Sequence, residues 1–228
     1  IKNNLHNIDL LYLTGGEPTI NSGLADLLQH MIDNNHTNVK LDINTNLTNA
    51  NDDFIKLIRH FKWRLMFSID AVGELNDIIR WPSKFTSIEK NMKKFLDAAK
   101  PGDVFLLVPT VSIFNFFKLD QILEWMINFT KQYPNLYFKV SDNLNLLHQP
   151  QWMNVANIPN DLYVNQLQNI PENFKKDFQV KVGTSPFISA KEEDGMYKDW
   201  DWHKILNETR KYFESRGYDP IITGIPGI

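Results

Sequence analysis

The chain has 228 residues, of which 43% are apolar, no cysteine and a formal net charge of −3. That length suits one large domain, or one domain with an appendage, with enough apolar content for a sizeable core. The composition excludes disulfides and thiolate-held clusters within the chain, and without a Lys/Arg-dense run it points to neither nucleic acid nor an anionic membrane. No apolar run is long enough to span a bilayer, and no signal peptide opens the chain. A soluble, cytoplasmic protein is expected. Residue 1 is Ile rather than Met, as expected of a fragment of a longer product and equally of a processed one.

In chain order, residues 8–13 are an apolar run that leads through Thr14 into Gly15-Gly16-Glu17-Pro18. This reads as a strand ending in a glycine turn, with proline near the next helix start. Two glycines let a ligand approach the backbone closely, because no Cβ stands in the way. Glu17 then offers a fixed acceptor for a cationic group, and an α-ammonium suits it. Taken alone, the turn reads equally well as a plain strand-to-helix junction in which Glu17 favours the helix N-terminus.

Residues 24–32 carry Leu24, Leu27, Leu28, Met31 and Ile32 at helical spacing. Residues 39–43 alternate as a strand and lead into Asn44-Thr45-Asn46-Leu47-Thr48-Asn49. Phe54, Leu57, Ile58 and Phe61 mark a second helix, and residues 63–69 a third strand ending at Ser68-Ile69-Asp70. Ile88, Met92, Phe95 and Leu96 place a helix over 85–99. Residues 104–111 read as one nearly continuous apolar strand, covered on both faces. A helix over 119–129 and a strand over 136–140 follow. This alternation predicts parallel β/α units: an α/β partial barrel of five sequential parallel strands with helices outside.

From about residue 142 the pattern changes. Residues 144–155 read as a short hairpin, followed by a helix near 162–167, a polar loop over 187–201 and a helix over 203–216 stopped by Gly217. The expected organisation is a β/α core over 1–142 and a small hairpin/helix extension over 143–228.

Gly15-Gly16-Glu17-Pro18 at a strand end resembles the cofactor-binding turn of the radical S-adenosylmethionine enzymes. Later segments resemble that family in the same order. Thr45 and Asn46 match the next strand end, where the family usually shows Thr-Asn-Gly and this chain has Leu47. Ser68-Ile69-Asp70 matches its Ser-x-Asp. Glu74 and Arg80 match a Glu…Arg spacing ahead of Phe85, and Thr110 and Asn115 a later strand exit near the adenosine. The resemblance implies S-adenosylmethionine as cofactor. Gly15, Gly16, Glu17 and Pro18 would receive its amino group, and Ser68 and Arg80 its carboxylate, which an arginine fork fits bidentately. Thr45, Asn46, Asp70, Thr110 and Asn115 complete the implied set. Glu17, Ser68 and Arg80 are expected to converge at strand C-termini. The segment 144–159 with the last helix resembles the shortened extension called a twitch domain.

The family's activity requires a 4Fe–4S cluster on Cys-x-x-x-Cys-x-x-Cys, a loop that precedes the Gly-Gly-Glu turn by a strand and a helix. This chain has no cysteine. The resemblance therefore implies a truncated radical enzyme, inactive alone. Its full-length form would take an upstream cluster, an electron donor and an unknown substrate, a peptide or another molecule. Two alternatives stand beside it: a non-catalytic ligand-binding relative that has lost the cluster, and an unrelated β/α-barrel enzyme, which a closed eight-stranded barrel would favour.

The six histidines show no metal-ligand spacing. Residues 199–203 read as an aromatic loop docking the last helix, and Glu192-Glu193-Asp194 as a solvated acidic loop. Neither a Gly-x-Ser-x-Gly elbow nor a P-loop is present.

Overall fold

A computed structural model of the chain describes residues 2–140, 145–147, 149–169 and 201–228. Its strands are β1 (Leu10–Leu13), β2 (Lys40–Thr45), β3 (Lys62–Phe67), β4 (Val104–Leu107), β5 (Thr110–Val111), β6 (Tyr137–Val140) and β7 (Asn145–Leu146). Five of them form one sheet in the order β1-β2-β3-β4-β6, every neighbouring pair parallel. These are the five strands expected from the sequence, with ends displaced by a few residues. Among the described residues the sheet is open, with β1 on one edge, so the closed eight-stranded barrel is not formed there.

The alternation along the strands explains their two faces. Leu41, Ile43 and Thr45 of β2, and Trp63, Leu65 and Phe67 of β3, are all buried. Phe105 of β4 sits among aromatic neighbours, with ring centroids 5.4 Å from Trp63, 5.6 Å from Phe67 and 5.1 Å from Phe138. Such pairs each add about 0.5–1.5 kcal/mol beyond the area they bury.

Helices α1 (Ser22–Asp33), α2 (Asp52–Ile58), α3 (Glu74–Ile79), α4 (Phe85–Asp97), α5 (Ile113–Phe116), α6 (Leu119–Thr130) and α7 (Asn160–Gln168) occupy the connections, and a further helix spans Trp202–Glu214. Helix α1 starts where Asn21 Oδ1 accepts from Leu24 N at 3.0 Å, satisfying an end donor. In α4, Ile88, Met92, Phe95 and Leu96 are buried at the spacing that makes one apolar stripe. Asp201 caps the last helix, its Oδ1 accepting from Lys204 N at 2.8 Å.

Two expectations need correction. The single strand over 104–111 is broken after Leu107. Pro109 has no N–H to donate, so the β4 ladder stops, and β5 pairs instead with β7 in a separate two-stranded sheet. The hairpin over 144–155 is not formed by the described residues. Asn145–Leu146 pairs parallel with Thr110–Val111, while Gln151–Met153 and Val155–Asn157 are 3-10 turns. Leu144, the acidic loop and most of 187–201 lie outside the described residues.

The chain divides into two compact units. The first comprises residues 1–69, 85–108 and 129–141, and the second 70–84, 109–128 and 142–228. The first holds the five-stranded sheet. The second holds β5, β7 and an aromatic core in which Phe114 lies 5.6 Å from Trp152, 4.9 Å from Tyr212 and 4.9 Å from Phe213. No helix among the described residues is long and apolar enough to cross a membrane.

Candidate functional site

In the first unit, the turn after β1 is built from left-handed backbone. Gly15 has φ +84° and Gly16 φ +54°, both exposed, with open space where a Cβ would stand. A side chain there would be strained even without a clash. Glu17 and Pro18 are buried. Pro18 opens a 3-10 turn, Pro18–Ile20, and Glu17 caps it.

The Glu17 carboxylate ties two strand ends together. Its Oε1 accepts from Thr19 N at 3.2 Å, from Thr19 Oγ1 at 2.9 Å and from Thr45 Oγ1 at 2.8 Å. Its Oε2 accepts from Asn46 N at 2.8 Å. Thr45 Oγ1 in turn accepts from Leu47 N at 3.0 Å. Leu47 holds φ +59° and is fully buried, so this leucine keeps a backbone conformation that glycine adopts most easily. The Asn46 side chain stays local, with Oδ1 accepting from Thr48 N at 2.9 Å. Ser68 closes the row of strand ends: its N donates to Thr45 O at 3.0 Å and its Oγ to Asn44 Oδ1 at 2.8 Å. Thus Glu17, Thr45, Asn46 and Ser68 lie in one hydrogen-bonded row across the C-terminal ends of β1, β2 and β3.

The second unit gathers the other candidates around Asp70. Arg80 Nε donates to Asp70 Oδ2 at 2.6 Å and Nη2 to Oδ1 at 2.9 Å, a bidentate pair. Thr110 N donates to Oδ1 at 2.7 Å. Asn115 Nδ2 donates to Asp70 O at 2.8 Å and to Thr110 O at 2.9 Å, and its Oδ1 accepts from Ser112 N at 2.8 Å. Both amide hydrogens of Asn115 are therefore committed within the protein. Glu74, also singled out by its spacing, is exposed at the start of α3.

Three residues of these networks were not legible in the sequence. Thr19 and Asn44 hold Glu17 and Ser68. Asn76 Oδ1 accepts from Asp70 N at 3.2 Å and Ala71 N at 3.3 Å. Asparagine is abundant throughout the chain, and only the fold distinguishes these two.

The donor inventory tests which ligand these residues fit. A carboxylate has about four lone-pair directions. Oε1 of Glu17 receives three donors, whereas Oε2 receives one and retains a direction for an ammonium. Arg80 uses its Nε/Nη2 edge on Asp70 and keeps its Nη1 hydrogens for an incoming carboxylate. Taken singly, Glu17 in the first unit keeps room for a cationic group and Arg80 in the second for an anionic one. An iron–sulfur cluster does not: the chain has no thiolate, and no group of three metal-ligating side chains occurs among the described residues.

No family model matches the sequence, and no curated protein matches it. Solved structures do match. The solved structure of native anSMEcpe with bound AdoMet (S-adenosylmethionine) superposes with a TM-score of 0.52 at 17% identity, over 78% of this chain and 50% of that one. Native anSMEcpe with bound AdoMet and the Cp18Cys peptide gives 0.51 at 15% identity, over 83% and 51%. The same protein with the Kp18Cys peptide gives 0.51 at 17%, over 81% and 51%. The chain spans about half the length of these structures. At such identities the likeness is one of fold. The five-stranded parallel sheet is a partial-barrel arrangement resembling the radical S-adenosylmethionine core.

Proposed function

We propose that this chain is the S-adenosylmethionine-holding part of a radical S-adenosylmethionine enzyme whose cluster cysteines lie outside these 228 residues. One observation carries the reading: the Glu17 carboxylate joins a Gly-Gly-Glu-Pro turn to the Thr45-Asn46 strand end, in a fold matched by an AdoMet-bound protein. The cofactor would supply the radical chemistry, reductive cleavage at a 4Fe–4S cluster fed by an electron donor. This chain's residues bind and orient. Gly15 and Gly16 leave the backbone open to approach. Glu17 Oε2 receives the ammonium. Arg80, held by Asp70, presents its free edge to the carboxylate. Thr45, Asn46 and Ser68 keep the strand ends in place, and Thr110 and Asn115 fix Asp70. The segment over 1–142 would carry the cofactor-holding residues, and 143–228 would be a twitch-like extension. The substrate class is a peptide, supported by the peptide-bound anSMEcpe structures.

The lack of cysteine favours a second reading, a ligand-binding relative without a cluster. Two measurements separate the readings. The coding sequence upstream of residue 1 is expected to contain a three-cysteine loop, and its absence overturns the enzyme reading. Titration of S-adenosylmethionine and of 5′-methylthioadenosine, which lacks the ammonium and carboxylate, tests the site under either reading. Wild type should prefer the former, and Glu17→Gln should narrow the gap by about 1.5–3 kcal/mol, ten- to a hundredfold. An unchanged gap would leave the turn a turn only.

A further inference from the structure

We propose that the N-terminal ends of β1–β4 form a binding site for a small polyanion, a ligand carrying two or more phosphate or carboxylate groups. A cavity of about 460 Å³ lies there, and its lining includes Leu10, Lys40, Asp42, Lys62, Arg64 and Val104. Each of these residues belongs to the first half of its strand, at the opposite end from Glu17 and Ser68. The volume falls within the range of about 300–1,000 Å³ usual for small-molecule sites.

The sheet register sets the charge of this cavity. Leu10, Lys40 and Lys62 are partners in one row across β1–β3, and Asp42, Arg64 and Val104 in the next usable row across β2–β4. Cross-strand partners, and residues two apart on one strand, project to the same face. Three cations and one carboxylate therefore share a face. Lys40 and Lys62 are direct neighbours across strands about 4.8 Å apart, an arrangement that like charges disfavour.

Two of the carboxylates nearby, Asp42 and Asp103, are already engaged, while Asp9, whose backbone O accepts from Lys40 N at 2.9 Å, is exposed. Asp42 is buried and pairs with Arg64, whose side chain is 45% exposed. Asp103 feels the charge of Lys62, but it is buried and accepts from Trp63 N and Lys100 N. Lys40 and Lys62 form no ion pair or side-chain hydrogen bond among the described residues. A bridging anion would turn this repulsion into two charge-assisted hydrogen bonds, with the exposed side of Arg64 as a third contact. The lining is confined to the first residues of four neighbouring strands and to Gly102, a compact patch that favours a small ligand over an acidic protein.

This inference does not rest on the S-adenosylmethionine reading. Pyrophosphate and citrate are titrated calorimetrically into the chain at low ionic strength. At least one of them should bind at one per chain, and the better of the two reports whether phosphate or carboxylate is preferred. A Lys40→Gln/Lys62→Gln double variant should weaken it about tenfold or more. A Lys56→Gln/Lys211→Gln variant removes the same charge elsewhere and should leave affinity unchanged. Both lysines of the test variant are exposed, so the fold is expected to survive. Failure of both polyanions to bind wild type, or equal weakening by the two double variants, would overturn the proposal.

Discussion

Leu47 occupies the position where the resembled family carries glycine, and it is the sharpest departure at the residue scale. Its φ of +59° costs a branched side chain about 1–2 kcal/mol. Its side chain is fully buried, and removing such a group typically costs about 2–5 kcal/mol. Burial therefore outweighs strain. Leu47→Gly should destabilise the protein by up to about 4 kcal/mol, read from urea denaturation midpoints. A glycine variant more stable than wild type would mean that the strain term dominates. The sequence alone made Leu47 look like a weakness in the motif. The structure shows Leu47 in a left-handed turn, held by its N donating to Thr45 Oγ1 at 3.0 Å and by Asn91 Nδ2 donating to Leu47 O at 2.8 Å. Glu17 offers the complementary lesson. Its carboxylate was legible as a fixed acceptor, but the four donors that fix it come from positions up to 29 residues away.

Between elements, Asp103 links the turn before β4 to the start of β3, accepting from Lys100 N at 2.7 Å and Trp63 N at 3.3 Å. Burial pushes its carboxyl pKa up, against the lowering effect of those two N–H groups and of Lys100 and Lys62. The folded state thus holds this proton more tightly than the unfolded chain. The associated stability is complete below the unfolded carboxyl range and is lost as pH rises through the raised folded value. Relative to Asp103→Asn, the stability of wild type should fall as pH rises from about 3 to about 6, measured by urea midpoints at each pH. A pH-independent difference would contradict that assignment. Element type was well marked wherever the apolar spacing was long and regular, as in α1, α4 and α6. Short elements were not. Helix α3 has six residues and α5 four, too few to display a period, and β7 exists only because β5 offers a partner.

For the whole molecule, the absence of cysteine decides the chemistry available within these 228 residues. Anaerobic reconstitution with iron and sulfide should incorporate no stoichiometric cluster, as iron and sulfide assays after desalting would show. About four irons per chain would overturn the reading that these 228 residues ligate no cluster. The order of five parallel strands followed from sequence, because alternating strand and helix signals with short connections leave few other topologies. Charge, composition and the Gly-Gly-Glu-Pro turn likewise limited the candidate chemistry without reference to coordinates. What the tertiary structure decided was partnership. It allotted Arg80 to Asp70, committed both amide hydrogens of Asn115, and set Lys40 beside Lys62 in adjacent strands. These contacts join residues 5 to 45 positions apart or belong to a cross-strand register. Local propensity and spacing govern which element forms, whereas hydrogen-bond pairing and like-charge proximity depend on where separate elements are brought together.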